Sequence, residues 1–542
     1  MKKIVVSIFL ICFTLISHSV LFAYSGGNGT AQSPYLISSK SDMLELTTNV
    51  NASYSHAGLH FLLTRDLTGV NDVITNVIGR GGTCYFNGIF DGGGHEIAVN
   101  INVNAESGVN IGLFGLISGA TIKNLKVRGS VSATTTSTAM MTVGGICGDL
   151  QNGTISNCSN KAIITAKSAF NDAYAGGICG IVDVNANVID CYNTGSISVI
   201  SSHSISSAGG ICGFLLSRLS HCYNTGTVSA KTQNNTSPYY SSYNSFAGGI
   251  CGSVEGSGTL THCSNAGQVT AASYVNSFAG GICGDLTSRT ITNCYNTGII
   301  YASSNYKQGS SPRSYSGGIC GYLDIGLINN CYSSGYISAA SSENAYSGGI
   351  CGYINNNGNP KIGNCFAAGT VTTSANFNVR GRICANAESS EIYANCYALN
   401  SMLVGSSAIS NSSPNSKNGK DAPLASLQSQ SWLTSTLQWD FASIWRIEDG
   451  AFPTFISTGE FVSIQEITMR SFKLYPNPAN HYFRIASEIP VQQVSIYDLS
   501  GRLLKEIDFP ADVISVVDLP TAIYLVKITT VEGSAITKLV KK

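Results

Sequence analysis

The residues best placed to do chemistry in this chain are cysteines, and their spacing is regular. Of the 18 cysteines in 542 residues, sixteen fall into two interleaved series. The first is Cys147, Cys179, Cys212, Cys251, Cys283, Cys320, Cys351 and Cys384, with successive members 31 to 39 residues apart. The second is Cys158, Cys191, Cys222, Cys263, Cys294, Cys331, Cys365 and Cys396, each 10 to 14 residues after its partner in the first. Zinc would call for close Cys-x-x-Cys pairs, which are missing. Two states stay open. Either the two cysteines of each repeat are joined by a disulfide in an oxidising compartment, or all are thiols packed as small apolar groups. Strand alternation sets the first cysteine opposite its Ile neighbour, against the disulfide, unless the chain bends at the next glycine.

Other reactive groups do not converge. His95-Glu96 lacks the second histidine of a zincin helix. His221 and His262 share one repeat position, just before the second cysteine, where Asn or Asp stands in the other copies. They read as polar turn residues rather than metal ligands. A β-helix lyase or glycosidase needs clustered carboxylates or a base beside them. Asp149, Asp183, Asp190, Glu255 and Asp285 share no consistent position; only Asp149 and Asp285 coincide, two residues after a first cysteine. Phe90-Asp91-Gly92 reads as a structural turn. No nucleophile elbow or phosphate loop occurs. Hence no catalytic residue, metal ligand or cofactor is assigned. Tyr239, Tyr240 and Tyr243 lie in an insertion over residues 231–245, and Tyr301 and Tyr306 lie near another. Insertions protrude from a solenoid, and exposed tyrosines stack on sugars or anchor proteins. Tyr239, Tyr240 and Tyr243 are therefore the candidate ligand-binding residues.

The elements that would carry these groups are strands. Each first cysteine lies in a Gly-Gly-Ile-Cys-Gly block, eroded to Gly381-Arg382-Ile383-Cys384 in the last copy. An aliphatic residue follows three later, and an aromatic precedes by five in Tyr174, Phe246, Phe278, Tyr315 and Tyr346. These odd offsets put the aromatic, the Ile and the aliphatic residue on one face of an extended strand. A second strand carries an aliphatic residue three before the second cysteine, and a third carries Ile or Val six after it. Between them the block Cys-Tyr-Asn-Thr-Gly ends in Gly195, Gly226 or Gly298, with near-copies at Gly267, Gly335 and Gly369. A glycine fixed at a turn suggests a positive φ. Three short strands per repeat, none able to bury its own face, predict stacked parallel coils about 4.8 Å apart, eight steps reaching roughly 40 Å.

The repeat blocks resemble the GLUG-type repeats of bacterial surface proteins. Gly29-Thr30 with Ser33-Pro34-Tyr35-Leu36-Ile37, Phe90-Asp91-Gly92-Gly93-Gly94 and Gly112-Leu113-Phe114-Gly115 resemble the start of such arrays. Trp439-Asp440-Phe441 and Ile444-Trp445 resemble their end. The resemblance implies surface display and binding rather than an activity. After residue 460 a different pattern begins. Leu474-Tyr475-Pro476-Asn477-Pro478, Val494-Ser495-Ile496-Tyr497-Asp498 with Gly501-Arg502, and Lys538-Leu539-Val540-Lys541-Lys542 resemble the type IX secretion C-terminal sorting domain. Ala522 departs from it, where the family often has Gly. That resemblance implies recognition by an outer-membrane exporter.

Lys2 and Lys3 before an apolar stretch read as a signal peptide with cleavage after Ala23. Charged residues are 11% and the net charge is zero, which argues against nucleic-acid binding. The expected fold is all-β: a right-handed parallel β-helix followed by a small antiparallel Ig-like β-sandwich. The expected segments are a signal peptide at 1–23, repeats at 24–403, a Ser/Asn-rich linker and closing segment at 404–457, and a sorting domain at 460–542. A helix over residues 41–50, N-capped by Ser41 or Asp42, would cap the first coil. The expected function is a non-catalytic, adhesin-like or structural protein displayed on the surface, with a glycan or host-protein ligand. The alternative is a polysaccharide-processing β-helix enzyme. No transmembrane segment is expected in the mature chain.

Overall fold

The computed structural model describes residues 24–105, 109–233, 243–287, 289–305, 311–355, 358–410, 412–456, 473–486, 491–498, 503–508, 513–530 and 533–542. The expected signal peptide and Tyr239, Tyr240 and Tyr306 lie outside them. The described residues form two compact units, divided between Thr454 and Phe455.

The first unit is a parallel β-solenoid. Its coils repeat one pattern, seen in the coil of Cys251 as strands Asn244–Gly248, Cys251–Val254, Thr259–Thr261, Ser264–Asn265 and Val269–Ser273. Like residues stack on like in register. Cys251 pairs with Cys212 and Cys283, Leu260 with Leu219 and Ile291, and Val269 with Val228 and Ile300. One ladder of twelve strands runs from Tyr35–Ile37 to Tyr393–Ala394. At about 4.8 Å per step it extends roughly 50 Å. The interior is apolar: Ile250, Cys251, Val254, Leu260, Cys263 and Val269 are all fully buried. Each buried Ile, Val or Leu contributes about 1.5–3 kcal/mol.

Three details differ from the sequence expectations, each for a steric reason. The coil has five short strands instead of three, because the chain turns at Gly-Gly-Ile and again after the second cysteine. A Cβ on Gly248 would lie 1.8 Å from the Cys251 carbonyl oxygen, and one on Gly249 would lie 2.1 Å from the Gly281 carbonyl oxygen. This corner resets the alternation. Ile250 and Cys251 both face the interior, while Phe246, Phe278 and Tyr315 form a separate aromatic cluster. The turn glycines do not take the left-handed conformation either. Cβ atoms on Gly195, Gly226 and Gly267 would lie 2.0–2.1 Å from the carbonyl oxygen of the preceding coil, so close stacking requires glycine there. Positive φ falls instead on the residue before each second cysteine: Asn157, Asp190, His221, His262, Asn293, Asn330, Asn364 and Asn395. Asn and Asp tolerate that region best.

Both ends of the stack are closed. Helix Lys40–Asn51 covers the start with Met43, Leu46 and Val50 fully buried. Its N-cap is Ser39, whose hydroxyl accepts from the Asp42 backbone N–H while Asp42 accepts from the Ser39 hydroxyl at 2.8 Å. At the far end Arg382 replaces the second glycine of the block and is fully buried. Its guanidinium donates to Asp421 Oδ1 at 2.6 Å and to the carbonyls of Asn418, Ile409 and Gly419. These bonds pin the stretch expected to be a linker, and Lys420–Ala422 pairs in parallel with Tyr397–Leu399. Trp439 and Trp445 then stack at 4.5 Å over Tyr332, whose hydroxyl donates to the Pro453 carbonyl at 2.7 Å.

The second unit is antiparallel. Strands Lys473–Tyr475, Tyr482–Ala486 and Ile514–Ser515 form one sheet. Leu503–Asp508, Val491–Tyr497, Ala522–Thr530 and Gly533–Lys541 form the other. Alternating Val494 and Ile496, and Val526 and Ile528, supply its core with Phe483 and Leu539.

Candidate ligand-binding site

The cysteines form two buried columns, and all those described are free. In the second column each Sγ donates to the carbonyl two residues earlier, at 3.2 Å for Cys158, Cys191, Cys222 and Cys263. In the first, Cys251 and Cys320 donate to the carbonyls of Ser253 and Tyr322 at 3.0 Å. Burial pushes the thiols of Cys147, Cys179 and Cys251 well up, so they stay protonated and are poor nucleophiles. The columns are part of the core.

The asparagine of Cys-Tyr-Asn-Thr-Gly is the polar residue whose role sequence reasoning missed. Asn160, Asn193, Asn224 and Asn265 are buried in one column. Each Nδ2 donates to the Oδ1 of the next coil's asparagine at 2.8 Å, and each Oδ1 accepts from the backbone two residues on. Its fixed place two residues before a turn glycine was the available signal. His221 and His262 stack with ring centroids 4.6 Å apart in the left-handed position. Among the described residues no group of three His, Cys, Asp or Glu side chains is arranged to hold a metal.

The carboxylates do come together in one place. Asp285 stands in register with Ser253 and Tyr322. It is 7% exposed, with Ser253 Oγ at 3.5 Å. Burial first, then the charges of Glu255 and Asp324, push its carboxyl up to about 8. Asp149, at the same repeat position, is pushed up to about 6, again mainly by burial. Aromatic side chains cluster near Asp285, whose register partner Tyr322 is one of them. Phe246, Phe278, Tyr315 and Tyr346 stack in one column, and Tyr322 and Tyr353 meet them edge to face.

Tyr243, expected as an exposed contact residue, is buried at 3% exposure, and Ser273 Oγ donates to its carbonyl. It is covered because the chain there joins the strand Asn244–Gly248 of the coil. An open cavity of about 470 Å³ does lie nearby. It covers the ends of three stacked strands and is lined by Lys231, Gln233, Ala272, Tyr274, Ser303 and Asn305, with Thr232 and Ser273 beneath. Lys231, Ala272 and Ser303 are register partners on successive coils, so two short side chains beside a long one make the depression.

In the second unit the expected motif residues are tied to one another. Asn477 accepts from the Val540 backbone N–H at 2.8 Å and donates to the Lys538 carbonyl at 2.7 Å. Ala479 bonds Val540 and Lys542 through its backbone, so the opening motif is fastened to the terminal strand. Residues 473–542 match the family described as the secretion system C-terminal sorting domain. This chain carries an export tail. It is therefore secreted or attached to the cell surface, and its tail implies engagement with the type IX machinery. Among curated proteins no sequence matches the chain. A solved structure described as a "putative immunoglobulin A1 protease" from Bacteroides ovatus is similar at 21% identity and a TM-score of 0.32. The match covers 80% of this chain and 95% of that one. No helix among the described residues is long and apolar enough to cross a membrane.

Proposed function

We propose that the chain is a non-catalytic surface protein, adhesin-like or structural, built on GLUG-type repeats and displayed through its C-terminal tail after removal of residues 1–23. The tail match at 473–542 is the observation that carries this reading. The solenoid supports it, because its reactive groups are spent on packing: the thiols in core columns, the asparagines in a satisfied ladder, the histidines in a turn. The test is protease shaving of whole cells expressing the full chain in a type IX-competent host. The intact chain is expected to be shaved, and the chain lacking 473–542 to be retained inside. Equal shaving of both would overturn the display reading.

A second reading, a polysaccharide-processing enzyme, is favoured by one observation: Asp285 is a buried acid near Glu255 and Asp324. It predicts release of unsaturated or reducing ends from acidic polysaccharides, abolished by Asp285→Asn. Such release would replace the non-catalytic reading.

A further inference from the structure

We infer that the cavity over the strands Val228–Thr232, Val269–Ser273 and Ile300–Ser304 is a subsite for a carboxylate-bearing saccharide. The inference rests on the adhesin-like reading and makes it more specific.

Four features carry it. The first is size: about 470 Å³ lies within the range of small-molecule sites and suits one or two sugar rings. The second is hydrogen bonding. Gln233 and Asn305 each bring an amide, able to donate and accept, and Ser303 a hydroxyl, which together match the vicinal hydroxyls of a sugar. The third is Tyr274 in the lining, an aromatic residue of the kind that packs on the apolar C–H face of a pyranose. The fourth is charge. Among the described lining residues Lys231 is the one cationic side chain, and it has no ion-pair partner among the described residues. Its ammonium stands in a lining that also carries two amides and a tyrosine. A neutral sugar would leave it unused, whereas a carboxylate would give it a charge-assisted hydrogen bond. The site sits on rigid ladder positions, since Lys231 pairs with Ala272 and Ala272 with Ser303 in register. Preorganisation of this kind lowers the cost of binding.

The test is calorimetric titration of the purified mature chain with tetragalacturonate, with sialyllactose, and with neutral maltotetraose. At least one acidic sugar is expected to bind at least tenfold more tightly than maltotetraose, with affinity falling as salt rises. Lys231→Glu is expected to weaken that binding tenfold or more, and Lys231→Arg to retain it. Both variants alter an exposed side chain and should keep the parent thermal midpoint. Binding of neither acidic sugar, equal binding of maltotetraose, or indifference to Lys231→Glu would overturn the subsite. Shaving of cells expressing the parent chain separates the two claims. Normal display of a parent chain that binds neither acidic sugar sinks the subsite alone, while lost display of the parent chain sinks the reading beneath it.

Discussion

The two units solve the same problem, burying short strands, in opposite ways. The solenoid repeats one set of contacts many times, so that Asn193, Asn224 and Asn265 are interchangeable rungs. The tail uses each contact once, as when the Asn477 side chain and the Ala479 backbone join the opening motif to the last strand. Repetition makes individual rungs redundant and puts the weight on exceptions such as Arg382 and Asp285. Uniqueness makes each motif residue of the tail informative, which is why short blocks there identify a family.

The comparison is broken most severely at the solenoid's closing end. Arg382→Ala leaves Asp421 and three carbonyls without their shared partner and should cost about 3–5 kcal/mol, read as a drop in urea midpoint of the solenoid transition. If it costs no more than a surface change, the end is not a special place. Next in size, Asn224→Ala removes two ladder bonds and a turn closure and should cost about 2–3 kcal/mol. Asn193→Ala and Asn265→Ala should cost the same within about 0.5 kcal/mol; unequal values would deny that rungs are equivalent.

Asp285 gives a pH test. Its folded carboxyl is held at about 8, against about 4 for an unfolded chain. Between those values the folded state keeps a proton that the unfolded state has lost, so stability falls as pH rises from about 4 to about 8 and then levels off. Asp285→Asn should remove that slope and raise stability at pH 8 by about 2 kcal/mol. A parent chain equally stable at pH 5 and pH 8 would count against it. Smallest is Asn477→Ala in the tail, expected to cost the tail about 1 kcal/mol, read as a drop in its own urea midpoint with the solenoid transition unmoved.

Much of the solenoid was legible because its interior obeys a period. Cysteine and aliphatic spacings gave coils and their register, and alternating Val494, Ile496, Val526 and Ile528 gave the tail's strands. What was not legible depended on the neighbouring coil. Whether Gly226 is needed for its φ angle or for its distance to the Gly195 carbonyl cannot be told from one repeat, since both readings demand glycine. Nor could strand alternation survive the Gly248-Gly249 corner, which sent Phe246 outward while Ile250 and Cys251 went in. The candidate site was half visible: an insertion marked the right edge of the stack, but Tyr243 is buried. The residues that line the cavity, Lys231, Gln233, Tyr274 and Asn305, belong to three different repeats.

Exact register between coils has a consequence for how such a chain changes over generations. Removing residues 283–319 would bring Cys320 under Cys251 with every ladder intact: Val254 would meet Leu323, Leu260 would meet Ile328, and Ser264 would meet Tyr332. Whole coils are thus a currency of insertion and deletion, each exchange altering reach by one step of about 4.8 Å while the end pieces stay as they are. The length of the rod is a tunable quantity, set by copy number and separable from what either end does.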